Sequence, residues 1–213
     1  MDRTQRRIAV VAAGLSQPSS TRLLADRLAA ATVSALAGRG IAADVVVLEA
    51  RDHAQDLVNH LLTGFPSPRL GSAIAAITGA DGLIAVTPIF SGSFSGLFKT
   101  FVDVLDRNAL DGMPVVVAAT GGTPRHSLAL DHALRPLFAY LHAAVVPTGV
   151  FAATDDWGDP EEAGRLAARI ERAGEELAAA IAVRPARAAA APADPDDDQL
   201  EVTDFARLLA GED

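Results

Sequence analysis

The stretch 14–21 (GLSQPSST) contains four hydroxyl side chains, Ser16, Ser19, Ser20 and Thr21. It follows directly on an apolar run. At the start of a helix, such small donors stand beside backbone N–H groups that have no intrahelical partner, and the helix dipole favours an anion there. The stretch therefore predicts a phosphate site. An ordinary Ser/Thr helix cap accounts for the same residues and remains an alternative. Gly14 is its one glycine and no Gly-Lys-Ser/Thr follows, so neither a Rossmann fingerprint nor a P-loop is predicted.

Two further stretches have the residues that binding loops use. In 87–96 (TPIFSGSFSG), glycines and serines let backbone amides approach a flat ligand while Phe90 and Phe94 cover it. In 120–127 (TGGTPRHS), the pair Gly121 and Gly122 permits positive φ and brings the backbone to a ligand edge. A packed loop with both phenylalanines in the core and a plain flexible turn are the respective alternatives. Together the three stretches predict a site with a phosphate at one end and a planar group at the other.

The elements that must position these loops are visible as apolar runs and helical patterns. Continuous apolar runs predict five strands buried on both faces, at 8–13, 43–48, 82–87, 114–120 and 144–150. Helical patterns lie between and after them, at 21–36, 53–62, 70–79, 95–105, 127–141 and 160–182. The alternation predicts an α/β fold, a three-layer α/β/α sandwich with a five-stranded parallel sheet. Ligands of such sheets bind at the carboxyl ends of the strands, where the three loops fall.

The amino-acid composition excludes several kinds of site and of binding partner. The 213 residues include no cysteine, so disulfides, thiolate metal sites and cysteine nucleophiles are excluded, and redox chemistry must come from a bound cofactor. No histidine or carboxylate pair has convincing ligand spacing, and no metal site is predicted. Of the net charge of −9, the stretch 194–213 carries −7, from eight acidic residues and one arginine, so the nearly neutral body offers no surface for nucleic acid. No apolar run approaches the roughly 18 residues of a membrane span, and a soluble, cytoplasmic protein is expected.

The chain is predicted to have three parts. Residues 1–183 form one domain. Residues 184–199 are rich in Ala, Pro and Asp, which predicts a linker. Residues 200–213 regain apolar side chains at roughly helical spacing, and this short segment is predicted to dock on the body, on a second subunit or on a partner.

The same residues resemble the NAD(P)H-dependent FMN reductase family. The resemblance rests on 14–21, on 87–93 followed by Gly96, Lys99 and Asp103, and on 120–122 with Arg125, His126 and the stretch 131–137. Within that family, the chain is most similar to the reductases that partner luciferase-like monooxygenases. The resemblance implies a flavodoxin-like fold, FMN as the flavin, NADPH or NADH as the hydride donor, and a homodimer or homotetramer.

Carried over by position, the resemblance assigns each loop a role. The FMN phosphate is held by Ser16, Ser19, Ser20 and Thr21. The isoalloxazine is lined by Pro88, Ile89, Phe90, Ser91, Gly92 and Ser93. Its pyrimidine edge is met by Thr120, Gly121 and Gly122. Apart from the resemblance, the place of His126 and Arg125 in the third loop leads us to expect that they meet the nicotinamide or its phosphates; an exposed or capping role is the alternative for this histidine.

Two departures from the family pattern matter. Many relatives have an arginine within the phosphate loop, whereas Gln17 and Pro18 occupy that region here, so phosphate neutralisation is either weaker or comes from Arg22. Where many relatives have a tyrosine in the second loop, this chain has Phe90, which stacks but cannot donate a hydrogen bond. Lys99 and Asp103, four residues apart, are interpreted as an ordinary helical ion pair.

The predicted activity is reduction of FMN by NADPH or NADH, with the reduced FMN supplied to a two-component flavin-dependent monooxygenase. Hydride transfer is chemistry that the cofactors perform, so no catalytic acid or base is assigned. One Tyr and one Trp disfavour a tight aromatic sandwich around the flavin, so FMN is expected to be a released substrate. An FMN-retaining quinone or azo reductase, a flavodoxin-like electron-transfer protein and a noncatalytic α/β protein remain alternatives.

Overall fold

Strands and helices alternate through residues 5–186, the part of the chain that the computed structural model describes. The strands are β1 (Gln5–Ala12), β2 (Ala42–Glu49), β3 (Gly82–Phe90), β4 (Ser93–Phe94), β5 (Pro114–Gly121), β6 (Ala144–Val145) and β7 (Val150–Ala153). The helices are α1 (Ser20–Ala37), α2 (Ala54–Thr63), α3 (Pro68–Thr78), α4 (Gly96–Asp103), α5 (Arg135–Tyr140) and α6 (Pro160–Ala182). Of the predicted linker only 184–186 is described, and the segment 200–213 lies outside the described residues.

The main sheet is parallel and has the order β2-β1-β3-β5-β6, with β7 also pairing with β5, while β4 pairs antiparallel with β3 and lies off this path. When β4 is not counted and the split fifth strand is counted once, this is the 2-1-3-4-5 order of flavodoxin-like folds. The prediction of a parallel α/β/α sandwich is thereby confirmed.

The predicted fifth strand over 144–150 is wrong in its extent, because two short strands share its place. β6 has two residues, and β7 begins at Val150. Between them Pro147 has no N–H to give to a ladder, and side chains bind the backbone instead. Arg135 donates to the carbonyls of Val146, at 2.9 Å, and Pro147. Glu176 accepts from the backbone N–H of Thr148 at 2.7 Å.

The predicted helix 127–141 is also shorter and less regular than expected. A 3-10 turn spans Pro124–His126, and a wide π turn over Leu130–Leu134 leads into α5. In that turn the N–H of Arg135 bonds to the carbonyl of Leu130, five residues back. Pro136 has no N–H to offer the carbonyl of His132, so a regular α-helical bond cannot form at this point.

The two faces of the sheet carry separate cores. α1 and α6 cover one face, where Leu24, Leu28 and Leu177 pack on inward residues of β1 and β3. α2, α3, α4 and α5 cover the other face, where Phe98, Phe101 and Phe138 are almost fully buried. Within residues 5–186, no helix is both long and apolar enough to cross a membrane.

A glycine sets how closely α1 and α6 approach. A Cβ built at Gly174 of α6 would stand 2.8 Å from the Cβ of Ala31 in α1 and 2.9 Å from its backbone carbonyl carbon. Real Cβ atoms do not come this close, so any side chain at this position must push the two helices apart. Gly164, in the same helix, has no atom within 4 Å of such a Cβ.

We therefore expect Gly174→Ala to destabilise the protein by about 1–3 kcal/mol, because the helices must separate or strain. Gly164→Ala, the matched control, should be stabilising by up to about 1 kcal/mol, because alanine has the higher helix propensity. Urea unfolding of the two variants and the parent protein measures both changes. Equal stability of the two variants would contradict the packing argument.

Candidate functional site

The three predicted loops meet at the carboxyl edge of the sheet, where β1 and β3 are neighbours. This is the switch point of the strand order, at which open α/β sheets bind their ligands. The N–H of Ala13, just after β1, bonds to the carbonyl of Val86 in β3 at 2.9 Å. Pro88 of β3 lies opposite Thr120 of β5 in the register. The first loop is thus fixed against the second, and the second against the third.

The first loop ends in a capped helix start. Ser19 is the N-cap of α1, and its Oγ accepts from the N–H of Arg22 at 3.2 Å. A Cβ on Gly14 would stand 2.1 Å from that Oγ, so only glycine leaves room for the capping hydroxyl. The first turn of α1 contains no acidic residue, and its remaining N–H groups have no intrahelical partner. Ser16 and Ser20 are exposed beside them, a donor set that fits a phosphate.

The hydroxyl of Thr21 makes a buried contact. Its Oγ1 lies 2.8 Å from Oγ1 of Thr120, and the two residues are only 2% and 4% exposed. This hydrogen bond joins the start of α1 to the end of β5, hence the first loop to the third. Thr21 and Thr120, both predicted ligand residues, therefore hold the loops together, and their contact with FMN stays a prediction.

The second loop is a β-hairpin rather than an irregular loop. β3 continues to Phe90, turns at Ser91 and Gly92, and returns as β4, with Phe90 opposite Ser93. Ser91 and Gly92 have φ of 51° and 83°, as a tight two-residue hairpin turn requires. Pro88 and Ile89 are buried, whereas Phe90 is 48% exposed at the rim. The part of this motif that a flat ligand can reach is therefore the ring of Phe90 and the turn.

Buried hydroxyls fix where the hairpin rejoins the body. Ser95 caps α4 through a 3.2 Å bond from the N–H of Phe98, and its own N–H donates to Oγ1 of Thr87 at 3.1 Å. On the exposed face of α4, Lys99 Nζ lies 2.6 and 2.8 Å from the two carboxylate oxygens of Asp103. The prediction of an ordinary ion pair there is confirmed.

The glycines of the third loop act differently from what the sequence suggested. Neither Gly121 nor Gly122 has a positive φ, so the expected left-handed turn is absent at this pair. A Cβ on Gly121 would stand 2.8 Å from the ring of Phe151 in β7, so this glycine makes room for that ring. Arg125 and His126 follow in the 3-10 turn and are exposed. Their predicted contact with the nicotinamide stays a prediction.

A charged cluster behind the first loop was missed in the sequence. Glu49, the last residue of β2, accepts from Arg22 Nη1 at 2.5 Å and from Arg51 Nη2 at 2.6 Å. Arg51 Nη1 also donates to the backbone carbonyl of Ser16 at 2.9 Å. Arg22 is further bound to Asp26 at 2.8 Å, and that hydrogen bond raises the pKa of Arg22 above its ordinary value. The signal was the neighbouring position of β2 and β1, since the segment after β2 must then border the first loop.

Two shallow depressions lie away from this edge. One, of about 470 Å³, lies between α1 and α6 and is lined by Arg27, Ser34 and Ile170 among others. The other, of about 350 Å³, is lined by Asp81, Met113 and other residues near the amino ends of the strands. Neither includes a residue of the three loops. The candidate site is therefore defined by the donors and the topology of the switch point and not by either depression.

Sheet order defines the class as a flavodoxin-like protein, with a candidate phosphate loop at the switch point. A solved flavodoxin, WrbA-like protein from Agrobacterium tumefaciens has the same fold, with a TM-score of 0.57 at 16% identity, covering 82% of this chain and 97% of that one. The model of the NADPH-dependent FMN reductase family matches residues 6–158. The chain belongs to that family, whose chemistry is oxidoreduction between a reduced nicotinamide and FMN.

Individual relatives agree with this assignment. An FMN reductase (NADPH) of Pseudomonas aeruginosa is 37% identical over 173 residues, 81% of this chain and 90% of the relative. The NADH-dependent FMN reductase SfnF of Pseudomonas fluorescens is 36% identical with the same coverage. A solved oxidoreductase from Corynebacterium diphtheriae has a TM-score of 0.81 and 48% identity, covering 84% of this chain and 97% of that one. The recognition made from the three loops is thus confirmed.

The bond between Thr21 and Thr120 can be tested by unfolding the flavin-free protein in urea. We expect Thr21→Val and Thr120→Val each to cost about 1–3 kcal/mol, because each leaves one buried hydroxyl unpaired. The double variant should cost clearly less than the sum, since no unpaired hydroxyl remains. Thr32 serves as the control: it is buried and its hydroxyl bonds within α1 to Leu28, so Thr32→Val should add to Thr120→Val. Additive costs for the Thr21 and Thr120 pair would contradict the bond.

Proposed function

We propose that this protein reduces FMN with NADPH or NADH at the carboxyl edge of β1, β3 and β5, and releases the reduced FMN to a two-component, luciferase-like monooxygenase. The observation that carries the proposal is the pairing of two unlike surfaces at one switch point. A helix start with free donors follows β1, and an exposed aromatic ring stands on the hairpin that extends β3. A flavin mononucleotide has the matching two ends, a phosphate and a flat ring system.

The phosphate end is assigned to the first loop. Ser16 and Ser20 are exposed beside the unpaired N–H groups of α1, and Ser19 shapes the loop as the N-cap. These groups bind an anion by hydrogen bonding and by the dipole of α1. They recognise the phosphate without touching the reacting ring, so they act on affinity and on the choice of flavin.

The ring end is assigned to the hairpin and the third loop. Phe90 presents its ring at the rim, and Ser91, Gly92 and Ser93 offer backbone groups beside it. Gly121 and Gly122 follow one another at the end of the neighbouring strand β5. A Cβ on Gly122 would meet no atom within 4 Å, whereas the ring of Phe151 already occupies that side of Gly121, so Gly122 has the more open backbone. When bound, FMN supplies the hydride-accepting ring, and the protein's task is to hold that ring and the nicotinamide in contact.

Release of the flavin is supported by how little aromatic surface the site offers. Phe90 is the exposed aromatic side chain of the three loops, all of which lie in the described residues. Trp157 instead lies under the guanidinium of Arg27, at 4.9 Å, and Tyr140 lies against Arg107, at 5.3 Å. A flavin held by one aromatic face and a phosphate loop exchanges more readily than one stacked on both faces.

The proposed hydride donor is NADPH or NADH, since one of the relatives above is an NADPH enzyme and the other depends on NADH. Arg125 and His126, exposed after β5, are the side chains assigned to the nicotinamide nucleotide. We further propose that the protein is a homodimer or homotetramer in the cytoplasm, and that the segment 200–213, which lies outside the described residues, docks on the body, on a second subunit or on a partner. Light scattering of the purified protein measures the oligomeric state directly.

The phosphate assignment is tested by steady-state oxidation of NADPH with FMN or riboflavin as the acceptor. The double variant Ser16→Ala/Ser20→Ala should raise KM for FMN at least about tenfold, because two hydrogen bonds to a charged group are lost, and leave kcat nearly unchanged. KM for riboflavin, which has no phosphate, should stay within twofold. Ser72→Ala, an exposed serine on α3, is the control and should change neither value. Equal changes for both flavins would refute the assignment.

The release of reduced FMN is tested by anaerobic desalting. The protein is incubated with FMN and excess NADPH and then passed rapidly through a desalting column. We expect the reduced FMN in the small-molecule fraction, because few contacts retain it. Reduced flavin that stays with the protein in stoichiometric amount would favour the FMN-retaining quinone or azo reductase instead.

A further inference from the structure

The phosphate loop has no cation of its own. Between Gly14 and Thr21 every side chain is uncharged, yet the proposed ligand end carries nearly two negative charges at neutral pH. Hydrogen bonds and a helix dipole offset part of that charge. The remaining question is which side chain outside the loop supplies a full positive charge, and Arg22 and Arg51 are the two candidates that the structure brings near.

Arg22 is directed away from the loop. It follows the loop in sequence, but its Nε bonds to Asp26 one turn further along α1, at 2.8 Å, and its Nη1 to Glu49 at 2.5 Å. Its side-chain bonds are with these two carboxylates, and its backbone N–H serves the Ser19 cap. Neither of these side-chain bonds reaches the loop, so the Arg22 guanidinium does not hold residues 14–18 in place.

Arg51 is held against the loop itself. Its Nη1 donates to the Ser16 carbonyl at 2.9 Å. With the Gln17 amide turned so that its oxygen faces the guanidinium, that oxygen accepts from Nη2 at 2.5 Å and from Nη1 at 3.2 Å. Glu49 fixes the opposite side of Nη2 at 2.6 Å, and the Arg51 side chain is only 18% exposed. The loop therefore contacts a guanidinium that belongs to the segment directly after β2 and not to the loop itself.

We propose that Arg51 is the positioning residue of the phosphate loop and sets the preference for phosphorylated over unphosphorylated flavin. Its planar fork holds the Ser16 carbonyl and the Gln17 side-chain amide together, and its guanidinium brings a positive charge into contact with the loop. The inference rests on the proposed function, specifically on the phosphate assignment. It extends that assignment to a residue of another strand, and to the choice between FMN and riboflavin.

The charged residues around Arg51 provide a matched control variant for the test. Glu49 and Asp52 face its guanidinium, the latter at 3.6 Å from Nε, and Asp26 and Arg22 complete the cluster. Two arginines therefore stand among three carboxylates. Loss of either arginine changes the formal charge by the same amount and removes one partner from Glu49, but only loss of Arg51 also frees the loop. Arg22→Gln is thus a control matched in charge and in the partner that is lost.

The test measures dissociation constants of oxidised FMN and riboflavin from the flavin-free protein, by quenching of flavin fluorescence. In Arg51→Gln, FMN should bind at least tenfold more weakly, as expected for a lost charge-assisted contact, with riboflavin within twofold of the parent. Arg51→Lys keeps the charge but not the fork and should fall between Arg51→Gln and the parent. Arg22→Gln should keep the preference for FMN within threefold of the parent.

Riboflavin binding also shows that each variant is folded. A preference for FMN that survives in Arg51→Gln, or that falls equally in Arg22→Gln, overturns the proposal. If Arg51→Gln binds neither flavin, Arg51→Lys decides, and a preference equal to the parent's overturns the role of the fork. A parent protein that binds FMN and riboflavin equally well would instead refute the phosphate assignment of the proposed function, and the inference with it.

Discussion

The parallel pairing of β1 with both β2 and β3 is the constraint on which the site depends. From β1 the chain leaves to α1 on one face of the sheet, and from β2 it passes through α2 and α3 on the other face before entering β3. The carboxyl ends of β1 and β3 are therefore neighbours whose connections diverge to opposite faces. Open α/β sheets bind their ligands at such a switch point, and the first loop and the β3–β4 hairpin, both assigned to FMN, begin at these two strand ends.

Hydroxyl groups serve two purposes at this edge, and burial separates them. Four of these residues are buried, and their hydrogen bonds join the ends of strands to the starts of helices: Thr21, Thr120, Thr87 and Ser95. Ser16 and Ser20 are exposed, and the proposed function assigns their hydroxyls to the FMN phosphate. A buried hydroxyl without a partner would be destabilising, so the inner set makes a rigid frame, and the outer set is free to bind.

The sequence predicted most of the frame because continuous apolar runs and helical periodicity are local signals. α6 has the bounds that its pattern indicated, and the glycine-rich loops fell at strand ends. The predictions that were wrong or incomplete concern residues whose structure depends on contacts with residues far away in the sequence. The fifth strand is divided because Arg135 and Glu176 bind the backbone between its halves. Glycine is required at position 121 because the ring of Phe151 occupies the space of a side chain there, and no local sequence pattern shows that contact. Arg51 was missed because its place beside the first loop follows from strand order, which the runs alone do not determine.

The uncharged bond between Thr21 and Thr120 and the ionic group around Glu49 have different sensitivities to the surrounding solution. A neutral, buried hydrogen bond is indifferent to ionic strength, whereas the attraction between a partly exposed guanidinium and a phosphate weakens as mobile ions screen it. Adding salt should thus leave the frame intact while eroding the distinction between phosphorylated and unphosphorylated flavins. The proposed selectivity would then depend on the ionic strength of the medium as well as on the fold.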